Sequence, residues 1–284
     1  MCYNVNGENM KKKRRLKVGA IIYALAILTL LIIMLFSAYK IFIWFSENKK
    51  IEKLEKEIKD SVVVEEKEDT EKTVIVEQPE GIPEENPYWD YIMINLMDVD
   101  FSELKKTNSS TKGWLYVGGT NINYPFVQHT NNKFYLNHSF DKKYNSAGWV
   151  FADYRNKLDG TDKNMIIYAH GRLDKSMFGS LRWVIKQDWY NNLDNHIVKI
   201  STETENTLWQ VFSVYKIPTT SDYIQTEFSS DEQYLNFLIK LKNRSKFDFN
   251  TTVSSTDQIL TLSTCNDDKT KIVLHAKLIK REAK

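Results

Sequence analysis

The chain has 284 residues, a formal net charge of +2, 42% hydrophobic and 27% charged residues, and two cysteines. That length holds one large domain or two small ones, and the near-neutral balance excludes bulk electrostatic attraction to nucleic acid. Two cysteines exclude a disulfide-dense scaffold.

Charge is unevenly spread along the chain. Residues 11–15 form a basic block, and residues 18–39 carry no charged side chain. At about 1.5 Å per residue this apolar run reaches roughly 33 Å as a helix, enough for a hydrocarbon core of ~30 Å. Lys40 interrupts it, and Ile41-Phe42-Ile43-Trp44-Phe45 adds an aromatic interfacial anchor. The run is too long for a signal peptide and lacks a small-residue cleavage site, so residues 18–45 are expected to be an uncleaved single-pass anchor. The positive-inside rule keeps residues 1–17 cytoplasmic and puts the bulk of the chain outside the cell. Cys2 and Cys265 then lie on opposite sides of the membrane and cannot pair. Cys265 is left as a lone external thiol, either reactive or simply buried.

Beyond the anchor, Ile51, Leu54 and Ile58 recur at helical spacing among Lys and Glu, extending the helix over 46–60. Residues 61–87 are acidic, contain Pro79, Pro83 and Pro87, and offer little to a core. Residues 46–86 are therefore expected to form a charged extracellular tether, with the globular part spanning 87–284. Residues 88–94 have an amphipathic helical pattern, and a second short helix starts near Asp100 or Ser102 as its cap. Strand patterns then follow at 114–117, 122–127, 148–152, 164–169, 196–201, 207–216, 258–264 and 271–280. Helical stretches interleave at 132–137, 176–189 and 231–243, the last with Tyr234, Leu235, Leu238 and Leu241 on one face. Eight short strands with few helices predict a mainly β fold, a barrel with peripheral helices.

Chemistry concentrates at strand ends. Thr261-Leu262-Ser263-Thr264-Cys265 reads as a strand with the thiol at its tip. Asn266-Asp267-Asp268 is a turn, and Ile272-Val273-Leu274 begins the return strand. Met165-Ile166-Ile167-Tyr168-Ala169 is a buried-strand pattern that delivers His170 beside Gly171. A thiolate nucleophile needs such a base and a group that steadies the oxyanion. His129 and His138 lie in polar loop sequence and are read as solvated; His196 begins a strand. His275 alternates in the last strand and faces either the core or the barrel exterior. Zinc motifs of the Cys-x-x-Cys or His-Glu-x-x-His type and phosphate-binding glycine loops do not occur in the sequence.

Several of these segments together resemble the class B sortases. Thr261-Leu262-Ser263-Thr264-Cys265 matches the TLxTC nucleophile motif. Tyr168-Ala169-His170 is similar to the Tyr-Gly-His motif, with alanine for glycine. Tyr135 to Phe140, Ala147-Gly148-Trp149-Val150-Phe151 and Asp153-Tyr154-Arg155-Asn156 resemble the stretch between early strands, and Gly113-Trp114-Leu115 with Asn123-Tyr124-Pro125-Phe126 its first hairpin. The helix at 231–243 resembles the extra helix of this class, and the likeness runs over about residues 87–280. It implies an eight-stranded sortase-type barrel and a membrane-anchored cysteine transpeptidase without cofactor or metal. Such an enzyme cleaves the sorting signal of secreted proteins, often of Asn-Pro-x-Thr type, and joins the acyl group to an amine of peptidoglycan or its lipid-linked precursor. By resemblance Cys265 is the nucleophile and His170 the proton carrier. Asn132, Leu136, Thr219, Tyr223, Ile224 and Ser263 line the substrate groove. The family's third catalytic residue, an arginine, has Lys271 at its position. Lysine keeps the charge and loses the planar fork, which leaves as alternatives a weakened transpeptidase, a hydrolase, or a binding module.

Overall fold

The computed structural model describes residues 18–76, 82–264 and 269–284. Two compact units divide at Lys49/Lys50. Helix α1 (Val18–Ser61) is long and apolar enough over its first part to cross a membrane, by length and composition.

The second unit contains short strands β1 (Val64–Lys67) and β2 (Thr73–Ile75), helix α2 (Tyr88–Tyr91), strand β3 (Leu96–Val99) and helix α3 (Ser102–Thr107). The barrel strands are β4 (Thr111–Val117), β5 (Asn123–Gln128), β6 (Phe151–Ala152), β7 (Asn164–Ala169), β8 (Ile197–Thr202), β9 (Glu205–Pro218), β10 (Ile259–Thr264) and β11 (Thr270–Ala283). Helices α4 (Gln187–Tyr190) and α5 (Asp231–Asn243) lie in the connections. Hydrogen bonding runs in the order β10-β7-β6-β5-β4-β8-β9-β11, and β11 returns to β10, closing an eight-stranded barrel. The β5–β6 and β7–β10 contacts are parallel; the other barrel contacts are antiparallel.

Alternation along the strands sorts side chains between the two faces of the wall. Leu260 and Leu262 of β10 join the main core with Trp114, Phe126, Ile167 and Leu274. Each such fully buried side chain stabilises the fold by about 1.5–3 kcal/mol. Ile259 on the opposite face joins a second core under α5, with Tyr234, Phe237, Leu238 and Leu241. Helix α5 has the expected bounds because its start is well signalled. The Ser230 hydroxyl accepts from the Gln233 N–H, and Asp231 and Glu232 oppose the positive end of the dipole.

Several expectations differ from the structure. The stretch expected as a tether is largely folded. Ile51 and Ile58 are buried in the main core, β1 pairs with β3, and β2 pairs with the end of β11. Its charges have partners: Lys280 donates to Asp69, while Thr70, Thr73 and Lys67 contact the Glu282 carboxylate. The helix expected over 176–189 is two short pieces, a 3-10 turn at Gly179–Trp183 and α4. Met177 has φ of 51°, and a Cβ at Gly179 would sit 2.2 Å from the Arg172 carbonyl, so the backbone must turn there. The helix expected over 132–137 is a 3-10 turn at Phe134–Leu136, and the strand at 148–152 shortens to Phe151–Ala152.

Candidate active site

The parallel β7–β10 ladder organises the site. Its register runs from Asn164 opposite Ile259 to Ala169 opposite Thr264. Ala169 and Thr264 are both buried, and the chain passes directly from them into His170 and Cys265. Cys265 itself lies outside the described residues, as does the expected turn at 266–268. Alanine fits where the family motif has glycine because its methyl joins the main core. The Thr264 hydroxyl accepts from the Ile272 N–H at 2.9 Å, which ties the end of β10 to the start of β11.

His170 is half-buried, and its Nε2 lies 2.6 Å from the Leu136 carbonyl oxygen. A carbonyl only accepts, so Nε2 carries a proton in this arrangement. The carbonyl is brought there by a close backbone approach. Gly148 has φ of 61°, the Trp149 N–H donates to Tyr135 O, and a Cβ on Gly148 would lie 2.5 Å from that oxygen. Behind the histidine, the Phe178 N–H donates to His170 O, and the Arg182 guanidinium donates to Gly171 O and Arg172 O.

Two loops flank the outer face of β7 and β10 near this end. On one side Asn132 Nδ2 donates to Asp153 Oδ2, and Asn132 Oδ1 accepts from the Tyr154 N–H. On the other, the Tyr223 hydroxyl lies 2.9 Å from Ser263 Oγ, and Ile224 O accepts from Arg155 Nη2. The structure thus joins Asn132 to Ile224 through Asp153 and Arg155, joins Tyr223 to Ser263, and joins Leu136 to His170. Thr219 is exposed at the end of the antiparallel β9–β11 ladder, its N–H bonded to Lys269 O. Lys271 is half-buried on β11 opposite Ile217, two residues before Val273, which faces Ser263.

Asp153 was not among the residues singled out by sequence, although its motif was. Its side chain is fully buried and accepts from Arg155 Nε and Nη2, the Arg155 N–H, the Tyr168 hydroxyl and Asn132. Burial alone would raise its carboxyl; the bonds from Arg155 and Tyr168 outweigh that and hold it below the usual range. The spacing Asp-x-Arg was the available signal, since it lets one backbone turn present the pair side-on.

The other histidines divide clearly. His129 and His138 are half-buried rather than solvated and stack on Phe134, with ring centroids at 4.4 and 4.0 Å. His196 is buried, bonded to Tyr91 and Tyr190 O. His275 faces the barrel exterior under α5 and is wholly buried. Tyr215 Oη lies 2.8 Å from its Nε2 and Thr261 Oγ1 lies 2.9 Å from its Nδ1. Burial, then the charge of Arg244, push its ring down to about 3.

The Sortase domain family matches residues 115–279. The chain belongs to the sortase family, class B. Sortase B of Staphylococcus aureus is 38% identical over 184 residues, covering 63% of this chain and 75% of that protein. A crystal structure of B. anthracis sortase B has a TM-score of 0.65 at 32% identity, covering 83% of this chain and 99% of that one. The S. aureus sortase B–substrate complex has a TM-score of 0.60 at 36% identity, covering 63% and 84%. This sortase is a cysteine transpeptidase, with the closed barrel of its class.

Proposed function

We propose that this sortase cleaves the C-terminal sorting signal of secreted proteins and transfers the acyl group through a thioester to an amine of peptidoglycan or its lipid-linked precursor. The observation that supports this best is the ladder ending at Ala169 and Thr264, because the sequence continues from adjacent strand ends into His170 and Cys265. The Cys265 thiolate adds to the carbonyl carbon of the signal's threonine, forming a C–S bond. His170 gives its proton to the leaving amine nitrogen as the C–N bond breaks. An incoming wall amine then attacks the thioester, His170 takes the amine proton, and the thiolate leaves. The Leu136 carbonyl holds the Nε2 proton, so the exchanged proton runs through Nδ1 while that bond is closed. Lys271 supplies the cation that steadies the oxyanion. Asn132, Leu136, Thr219, Tyr223, Ile224 and Ser263 hold the signal. Residues 18–45 anchor the enzyme, with residues 1–17 cytoplasmic and the catalytic unit at the cell surface.

Mass spectrometry of products from sorting peptides, with wall-type amines present, tests the reading on the full chain. The wild type yields a joined product, and Cys265→Ala yields none; a joined product from Cys265→Ala would sink the proposal. The lysine at 271 favours one competing outcome, in which the acyl-enzyme resolves only with water. Product masses then stay the same with and without amine. Lys271→Arg raises turnover if residue 271 acts in the chemical step.

A further inference from the structure

The Asp153–Arg155 pair sits where the two flanking loops meet. Phe151 of β6 pairs with Tyr168 of β7, which pairs with Ser263 of β10. The Tyr168 hydroxyl reaches Asp153 at 2.9 Å, and Arg155 reaches across to Ile224 O at 2.9 Å. The junction therefore lies over the strand rung two residues before His170. The guanidinium is clamped side-on. Nε and one N–H of Nη2 go to Asp153, at 2.8 and 2.7 Å, and the other N–H of Nη2 goes to Ile224 O. That leaves the two N–H groups of Nη1 pointing away from the carboxylate. No bond from Nη1 is found among the described residues, and the side chain is 35% exposed, unlike Asp153 at 0%.

We infer that Arg155 is a substrate-contacting residue that donates from Nη1 to a neutral carbonyl oxygen of the bound sorting signal while tying the two flanking loops together. The acceptor class follows from electrostatics. Asp153 already neutralises the guanidinium at hydrogen-bond distance, so the outward donors present a dipole more than a net charge. They suit a main-chain or amide carbonyl better than a carboxylate. The rigid side-on pairing also holds these donors in place before substrate arrives, which lowers the ordering cost of binding. A lysine cannot reproduce this, because one ammonium cannot serve Asp153, Ile224 O and the signal in a planar fork.

This inference rests on the transpeptidase reading above, and the test separates the two. In the full chain, kcat and KM for a sorting peptide are measured with Arg155→Lys and Arg155→Ala, alongside the labelling rate of Cys265 by a small thiol reagent. Both variants should raise KM about tenfold, as expected for loss of a pre-oriented hydrogen bond of about 1.4 kcal/mol. Both should keep kcat within about threefold and leave thiol labelling unchanged. A peptide with its amide side chains replaced by alanine assigns the acceptor. If the Arg155 effect persists, the carbonyl is main-chain; if it vanishes, it is the side-chain amide. KM within twofold of wild type in both variants, or a fall in kcat at constant KM, overturns the inference. Should Arg155→Ala not fold, Arg155→Lys decides by the same two constants. Cleavage by Cys265→Ala would instead overturn the transpeptidase reading and leaves the Arg155 comparison intact.

Discussion

Two carboxylates in the catalytic unit are buried to different ends. Asp153 is sealed from solvent and accepts from two nitrogens of the Arg155 side chain, the Arg155 N–H, Tyr168 and Asn132. Among the described residues Glu55, on the last turns of α1, has one hydrogen bond, from the Tyr124 hydroxyl at 3.3 Å, and its other oxygen is buried without a hydrogen-bond partner. Asp153 is held below the usual carboxylate range by the bonds from Arg155 and Tyr168, which outweigh its burial. Burial pushes Glu55 up to about 7, against the opposing pull of Lys59. The number of donors, more than depth, decides whether a buried carboxylate keeps its charge.

The sharpest way to break this contrast is Asp153→Ala. Removing one partner of a buried ion pair costs about 3–5 kcal/mol, and the partial exposure of Arg155 brings the expectation toward about 3 kcal/mol. Thermal unfolding of the full chain in detergent reads this directly. Glu55→Gln should act in the opposite direction. The folded value lies above the ordinary one, so the folded state binds more protons between about 4.5 and about 7, and stability falls as pH rises through that window. Replacing the group with an amide should stabilise the protein on the order of 1–3 kcal/mol at pH 8 and change little at pH 4. An unchanged melting temperature at pH 8 would contradict the poor pairing of Glu55. His275 extends the contrast to a base. Its folded value is depressed, so the stability it contributes is complete above about 6.5 and is lost as pH falls toward about 3. His275→Gln should cost about 1–2 kcal/mol at neutral pH, with the gap narrowing in acid. A gap that widened in acid would show that the ring is charged when folded.

The barrel was legible because most of its strands are continuous apolar or alternating runs. The bounds of 164–169 and of α5 match the reading residue for residue. What failed was decided by contacts that hydrophobic patterning does not encode, some of them far apart in sequence and one only seven residues away. The charges of 64–75 looked solvated, yet Lys280 and Glu282 wait for them some two hundred residues later. The break at Met177–Gly179 depends on the Arg172 carbonyl lying across the chain. Within the candidate site, the strand-end position of His170 and the motif leading to Cys265 could be read from local pattern. The grouping of Asn132 with Ile224 came from family resemblance alone; the link that joins them, through Asp153 and Arg155, could not be read, since their motif marked likeness without marking contact.

The pairing of β2 with β11 bears on where this protein can be divided. Strand β10 covers one side of β11 as far as Lys277, and β2 then takes over opposite Lys280, Arg281 and Glu282. A soluble fragment begun at Pro87 would uncover that rim. It would strip Lys280, whose side chain is 0% exposed, of its Asp69 counterion. It would also present unpaired backbone donors and acceptors, an invitation to edge-to-edge association with neighbouring copies. A fragment begun at Lys50 keeps Ile51 and Ile58 in the core and the rim zipped shut, so the hygiene of the C-terminal strand is set by residues that precede the barrel altogether.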